Sequence, residues 1–226
     1  MIKIIRKQTS PLCLEDEKLK NNGKYNCGDV IEKLEKDFYG KCYLCESNQF
    51  SINVEHFTPH KKNKDLKFDW NNLFFACSHC NNIKLAKYDN ILNCTDNINI
   101  EEYLYYNSDS VFFPKYEINI TINQEFNSCA KTKQSAELLN KIYNGHTDLK
   151  IKDAEKLKDN LLEHLTKFQS KLLKYTKSKF NPNKQKRYKK KIIDELHNSS
   201  HFCAFKRYII KNNNELNKEF KKYMTD

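Results

Sequence analysis

CYLC at 42–45, VEHFTPH at 54–60 and NNLFFACSHCNNIK at 71–84 are the segments on which the fold of this chain turns. Two residues separate the cysteines of each pair, Cys42/Cys45 and Cys77/Cys80, and 31 residues lie between the pairs. At that spacing a tight turn aims both sulfurs at one ion, and two such turns supply the four thiolates of a closed tetrahedral Zn²⁺ site. A single CxxC is shared with redox motifs, but the doubled arrangement points to structural zinc. Two disulfides or free core thiols are the alternative, disfavoured by an N-terminus without an apolar signal core. With four sulfurs bound, such an ion keeps no open position for water and does no chemistry.

The residues between the brackets differ in kind. Val54-Glu55-His56-Phe57 alternates as a short strand that Pro59 ends, and Leu73-Phe74-Phe75-Ala76 reads as a second, buried strand. Cys77 to Cys80 is the turn from which Asn81-Asn82-Ile83-Lys84 starts a helix, completing a ββα unit around a histidine. Phe68 to Asn72 reads as a loop.

On these residues the chain resembles the HNH endonucleases in their four-cysteine zinc form. The resemblance rests on E-H-F-x-P, then N-L, then C-x-x-C-N-x-x-K, and covers about forty residues. It implies a DNA phosphodiesterase in which His56 is the general base and Asn72 braces the loop that carries it. Glu55 and Asn81 would hold one catalytic divalent ion, Mg²⁺ or Mn²⁺, and the products would carry a 5′ phosphate and a 3′ hydroxyl. The family more often has aspartate at the Glu55 position and frequently histidine at the Asn81 position. A slip of one residue would exchange Asn72 with Asn71 and Asn81 with Asn82.

The residue types suit that chemistry. A neutral imidazole takes a proton from water at physiological pH, and a hard, oxygen-bound cation needs only one or two protein ligands. Neighbouring strand residues point to opposite faces, so Glu55 and His56 require a bend or a metal contact that reaches round the strand edge. Lys84, one helical turn from Asn81, is a candidate phosphate contact. Lys61 and Lys62, with Lys64 and Lys67, border the site and are read either as phosphate steering or as a solvated face. His79, between two zinc cysteines, is expected at the surface, as is His60, which has phosphate or metal contact as its alternative. Trp70 is expected to anchor the second strand.

The 226 residues carry 40 Lys+Arg against 29 Asp+Glu, a net charge of +11. Residues 1–145 balance at 19 of each sign, so the whole excess lies in residues 146–226. Attraction for a polyanion is therefore concentrated outside the zinc-bracketed unit. No segment is long and apolar enough to suggest a membrane span. Nine cysteines cannot all pair internally, a cytoplasmic location is expected, and buried thiol is the default for Cys13, Cys27, Cys94, Cys129 and Cys203.

The remaining pattern predicts an N-terminal arm or strand at 1–6 and a helix from Val30 to Phe38. A hairpin is expected between Val111–Phe113 and Glu117–Ile122, and a helix capped by Thr132 and closed by Gly145. A long amphipathic helix follows from Asp153, broken at Asn181-Pro182-Asn183. Lys186, Arg187, Lys189 and Lys190, in the run Lys184–Lys191, fit backbone contacts to DNA; an RNA-binding patch and plain solubility are the alternatives. The expected class is α+β, with a ββα-metal core in residues 1–125 and a helical, basic region in 126–226. An HNH unit followed by helices containing FKRYIIK (205–211) also resembles the small nucleases of Septu-type and retron anti-phage systems, which work beside an ATPase. That likeness implies an ATPase partner as well as duplex DNA. A zinc-stabilised module that binds nucleic acid without cutting it is the rival reading.

Overall fold

Two short strands, β1 (Ile52–His56) and β2 (Leu73–Cys77), pair antiparallel with Val54 opposite Phe75 and His56 opposite Leu73. Every residue of β2 is buried, as expected for an unbroken apolar run with protein on both faces. Helix α2 (Gly28–Asp37) covers β2 through Val30 and Leu34, with Phe38 just beyond its end. Tyr39 and Gly40 then turn the chain with positive φ, bringing Cys42 back beside the hairpin. Helix α4 (Ser78–Lys84) leaves β2 directly, and the Cys77 sulfur at its N-cap accepts the Cys80 amide. Strand, strand and helix therefore form the expected ββα unit. The computed structural model that shows it describes residues 1–107 and 117–224.

The N-terminal residues form an arm rather than a strand. Met1, Ile2 and Ile4 are buried, and the Ile4 amide donates to the Cys94 carbonyl at 2.7 Å. Arg6 lies over the Trp70 ring, 4.1 Å from its centroid, and donates to the carbonyls of Trp70 and Leu73. Trp70 is the anchor its sequence setting implies. Its indole N–H also donates to the Gln8 carbonyl.

Two expectations change in this half. The loop between the strands contains a short helix, α3 (Lys64–Phe68), because the Asn63 side chain accepts the amides of Asp65 and Leu66. Cys13 and Cys27 are joined by a disulfide, not buried as free thiols. The bond ties α1 (Leu12–Leu19) to the residue that caps α2. Cys94 and Cys203 are buried free thiols, whereas Cys129 is half-buried.

Strands β3 (Leu104–Asn107) and β4 (Asn119–Ile122) form a second antiparallel pair, Leu104 opposite Ile122. The alternating 117–122 segment thus pairs with 104–107; the expected partner at 111–113 lies outside the described residues. Helix α5 (Ala130–Asn144) begins before Thr132, which is buried inside it, and ends at Gly145 with φ of 75°. Helix α6 (Asp148–Lys177) starts earlier than its apolar repeat, because the Thr147 side chain caps it. Its 30 residues span about 45 Å. Helices α7 (Pro182–Leu196), α8 (Cys203–Lys211) and α9 (Asn214–Phe220) complete the described chain.

One apolar cluster runs from Met1 through the ββα unit to Leu138, Leu139, Leu161 and Phe205, crossing the 125/126 position. A second joins Phe168, Ile192, Leu196, Ile210 and Phe220. The architecture is α+β with a helical C-terminal region. Among the described residues no helix is long and apolar enough to cross a membrane.

Candidate active site and metal centre

The two CxxC turns meet. One sulfur from each of Cys42, Cys45, Cys77 and Cys80 lies within 4.8 Å of the others, and all four residues are buried. Cys45 Sγ and Cys77 Sγ are 3.8 Å apart, too far for a disulfide. A tetrahedron with Zn–S bonds of about 2.3 Å has edges of about 3.8 Å. Burial works to raise the Cys42 thiol, but hydrogen bonds from the other three sulfurs outweigh it and hold Cys42 well below its ordinary value. Burial pushes Cys45 and Cys80 up. A closed, sulfur-lined cage with edges of this length fits structural zinc.

His56, at the end of β1, is half-buried. Its Nε2 lies 3.0 Å from the Lys67 carbonyl oxygen. A carbonyl only accepts, so the neutral ring carries its proton on Nε2 and leaves the lone pair on Nδ1. The Tyr25 ring packs edge-on against the imidazole at 4.4 Å and the His60 ring tilts at 4.7 Å. Burial first, then the nearby His60, Lys67 and Lys84, lower the pKa of His56; the bond to Lys67 opposes them. The ring is neutral at pH 7.

Asn72 is buried, and its side chain is fully engaged. Its Oδ1 accepts the Thr58 amide at 2.7 Å, and its Nδ2 donates to the carbonyls of Thr58 at 2.9 Å and Leu66 at 3.0 Å. These bonds fasten the chain just after His56 and just before Lys67, whose carbonyl orients the imidazole.

Glu55 points the other way, as strand alternation requires. It is 4% exposed, and its Oε1 accepts the Tyr43 hydroxyl at 2.5 Å and lies 3.3 Å from Lys84 Nζ. Burial raises its pKa against the opposing effects of Lys84 and Tyr43. Its Oε2 is buried without a protein partner. Lys84 is itself 2% exposed and also donates to the carbonyls of His56 and Phe57. It faces the interior and not, as its spacing implied, a phosphate. Asn81 lies one turn before Lys84 on the same side of α4. It lines an open cleft of about 610 Å³ with Tyr25, Asn26, Asn53 and Val54. Val54, from the opposite face of β1 to Asn53, lines the same cleft, whereas Glu55 and His56 do not.

Other expected contacts divide. Lys61 and Lys62 are exposed on a turn where both have positive φ. Lys67 is committed, its Nζ donating to the Gly23 carbonyl. His79 is buried rather than exposed: its Nε2 meets the Ile142 carbonyl at 2.8 Å and its ring stacks on Phe50. Lys186, Arg187 and Lys190 are exposed on α7, whereas Lys189 pairs with Glu219. Within FKRYIIK, Lys206 and Arg207 are buried, paired with Glu195 and Glu101. Sequence reasoning missed Tyr25 and Tyr43. The Tyr43 position inside CYLC was the available signal, since a residue between two ligating cysteines is carried to the hairpin with them.

No curated protein matches the chain. Residues 42–87 match the family model described as HNH endonuclease, covering both CxxC pairs, Glu55, His56, Asn72, Asn81 and Lys84. On sequence, ββα topology and a four-cysteine cage together, this stretch is similar to the HNH endonuclease domain, a likeness that supports a nuclease of the HNH type.

Proposed function

We infer that this protein is a metal-dependent endonuclease that hydrolyses DNA phosphodiester bonds, with His56 as general base. The observation that carries this reading is the His56–Lys67 hydrogen bond, which assigns the lone pair to Nδ1 on a ring kept neutral by burial. Nδ1 takes a proton from water, and the carbonyl that holds Nε2–H stabilises the imidazolium that results. Asn72 keeps that carbonyl in place. Glu55 Oε2 and the Asn81 carboxamide would hold the Mg²⁺ or Mn²⁺. A hard ion of that kind supplies charge stabilisation at the phosphate and the departing 3′ oxygen. Lys61 and Lys62, exposed on the turn after His60, would meet flanking phosphates.

The anti-phage role and an ATPase partner are the finer part of this reading and rest on the C-terminal likeness. Lys206 and Arg207 are internal, so the exposed cations of α7 would offer such a partner more charge than FKRYIIK does. The deciding experiment incubates supercoiled plasmid with protein and Mg²⁺ or Mn²⁺, alone and with any ATPase encoded beside it. Wild type should nick the plasmid and His56→Ala should bind but not nick. Equal inactivity of both proteins with metal and partner supplied would favour the non-cutting module.

A further inference from the structure

We propose that the tip of the α6–α7 hairpin is a single-stranded DNA contact in which Phe180 stacks on an unpaired base. This rests on the nuclease reading for its choice of nucleic acid. Phe180 is 100% exposed, the most exposed of the large apolar residues described. Its exposure is not the fraying of a loose end. Ser178 Oγ donates to the Tyr175 carbonyl at 2.8 Å and the Asn181 amide to the Ser178 carbonyl at 2.9 Å. Asn181 Oδ1 accepts the Lys184 amide at 3.0 Å, and Pro182 opens α7. Both helix ends are capped across a four-residue turn, so the backbone that carries the exposed aromatic ring is fixed. Between Phe168 and Ile192 only Ser178 is buried; the hairpin reaches beyond both apolar clusters.

Charge decides what covers the ring. Residues 171–191 contain ten Lys or Arg and no Asp or Glu. Lys171 and Lys189 are paired with Glu195 and Glu219. Lys177, Lys179, Lys184, Lys186, Arg187 and Lys190 are all exposed around the tip. An apolar protein surface would meet this density of cations with nothing to neutralise them, whereas a polyanion is attracted to it. In a duplex the base faces are hidden by stacking, so an aromatic ring gains most from an unpaired strand. That combination of basic track and open ring is how single strands are held without sequence preference. The platform would engage a displaced or frayed strand of the DNA on which the HNH unit acts.

The test uses full-length protein, no added divalent ion, and anisotropy of fluorescein-labelled oligothymidine against a duplex of equal length. Phe180→Ala should lose about 5- to 150-fold in oligothymidine affinity, the range for one base–aromatic stack. Its duplex affinity and salt dependence should stay near wild type. Phe180→Trp should keep the affinity and show indole quenching on binding. Lys184→Gln with Lys186→Gln and Lys190→Gln should weaken both ligands and flatten the single-strand salt slope by about 0.7 for each phosphate no longer neutralised. Wild-type oligothymidine affinity in Phe180→Ala would overturn the proposal. So would an equal loss for duplex and single strand, or no oligothymidine binding by wild type. Binding without cleavage keeps this test separate from the nicking assay.

Discussion

Lys84 is the residue whose substitution most sharply separates an interior ion pair from a phosphate contact. Replacing it with methionine keeps the stem and removes the ammonium that faces Glu55 at 3.3 Å, both side chains being 2% exposed. Breaking a buried pair from one side costs about 3–5 kcal/mol, because the remaining charge is stranded. At about 2–4 °C per kcal/mol for a chain of this size, Lys84→Met should lower Tm by roughly 6–20 °C. Glu55 is already raised by burial. Without Lys84 it should take up a proton and lose its value as a metal ligand. The double variant Glu55→Gln with Lys84→Met should recover much of the loss, since no charge is then left alone. Thermal and urea unfolding of the four proteins completes the cycle. A Lys84→Met protein that melts within a degree of wild type, yet binds DNA more weakly, would refute the interior pairing.

Four further outcomes can be checked. Wild type should contain one equivalent of zinc by elemental analysis, and Cys42→Ser or Cys80→Ser should lose it together with the cooperative unfolding transition. Asn72→Ala should cut kcat by about 10² or more, the expected cost of a base displaced by an ångström, while oligonucleotide affinity holds. Because His56 is held below 6.5 by burial, the acid limb of kcat/KM should have its midpoint below pH 6.5. The same shift means the stability linked to this ring is present above 6.5 and is lost as pH falls through the folded value. An acid limb at or above 6.5 would contradict the buried, carbonyl-held ring. Finally, Cys13 and Cys27 close a loop 14 residues apart in sequence, so Cys13→Ser should cost about 3 kcal/mol against the oxidised protein. It should match wild type once both are fully reduced.

The ββα unit was legible because its constraints are local. Two fixed cysteine spacings, an alternating strand and a buried apolar run each have a short period, and together they left one arrangement. Roles that depend on which face a side chain meets were less visible. Lys84 reads as a surface cation by spacing alone, and only packing shows that α4 turns it towards Glu55 and the carbonyls of His56 and Phe57. His79 reads as a polar residue in a turn, but α5 brings the Ile142 carbonyl to it from 63 residues away. Tyr25 reaches His56 from a segment that a disulfide closes between residues 13 and 27. Pairing at such distances along the chain leaves no periodic mark. The basic hairpin shows the opposite case: its charge was plain in the sequence, whereas the outward ring at its turn needed three-dimensional form.

Strand β2 has a consequence for how this protein can fail. It begins immediately after Asn72 and ends on Cys77, so about 17 Å of extended chain links one sulfur of the cage to the carboxamide that sets the imidazole. Slack at one end must be felt at the other. Stripping the cage with a strong chelator should therefore silence cleavage as its first effect, before the helices melt. No metal-poor intermediate with partial turnover is to be expected.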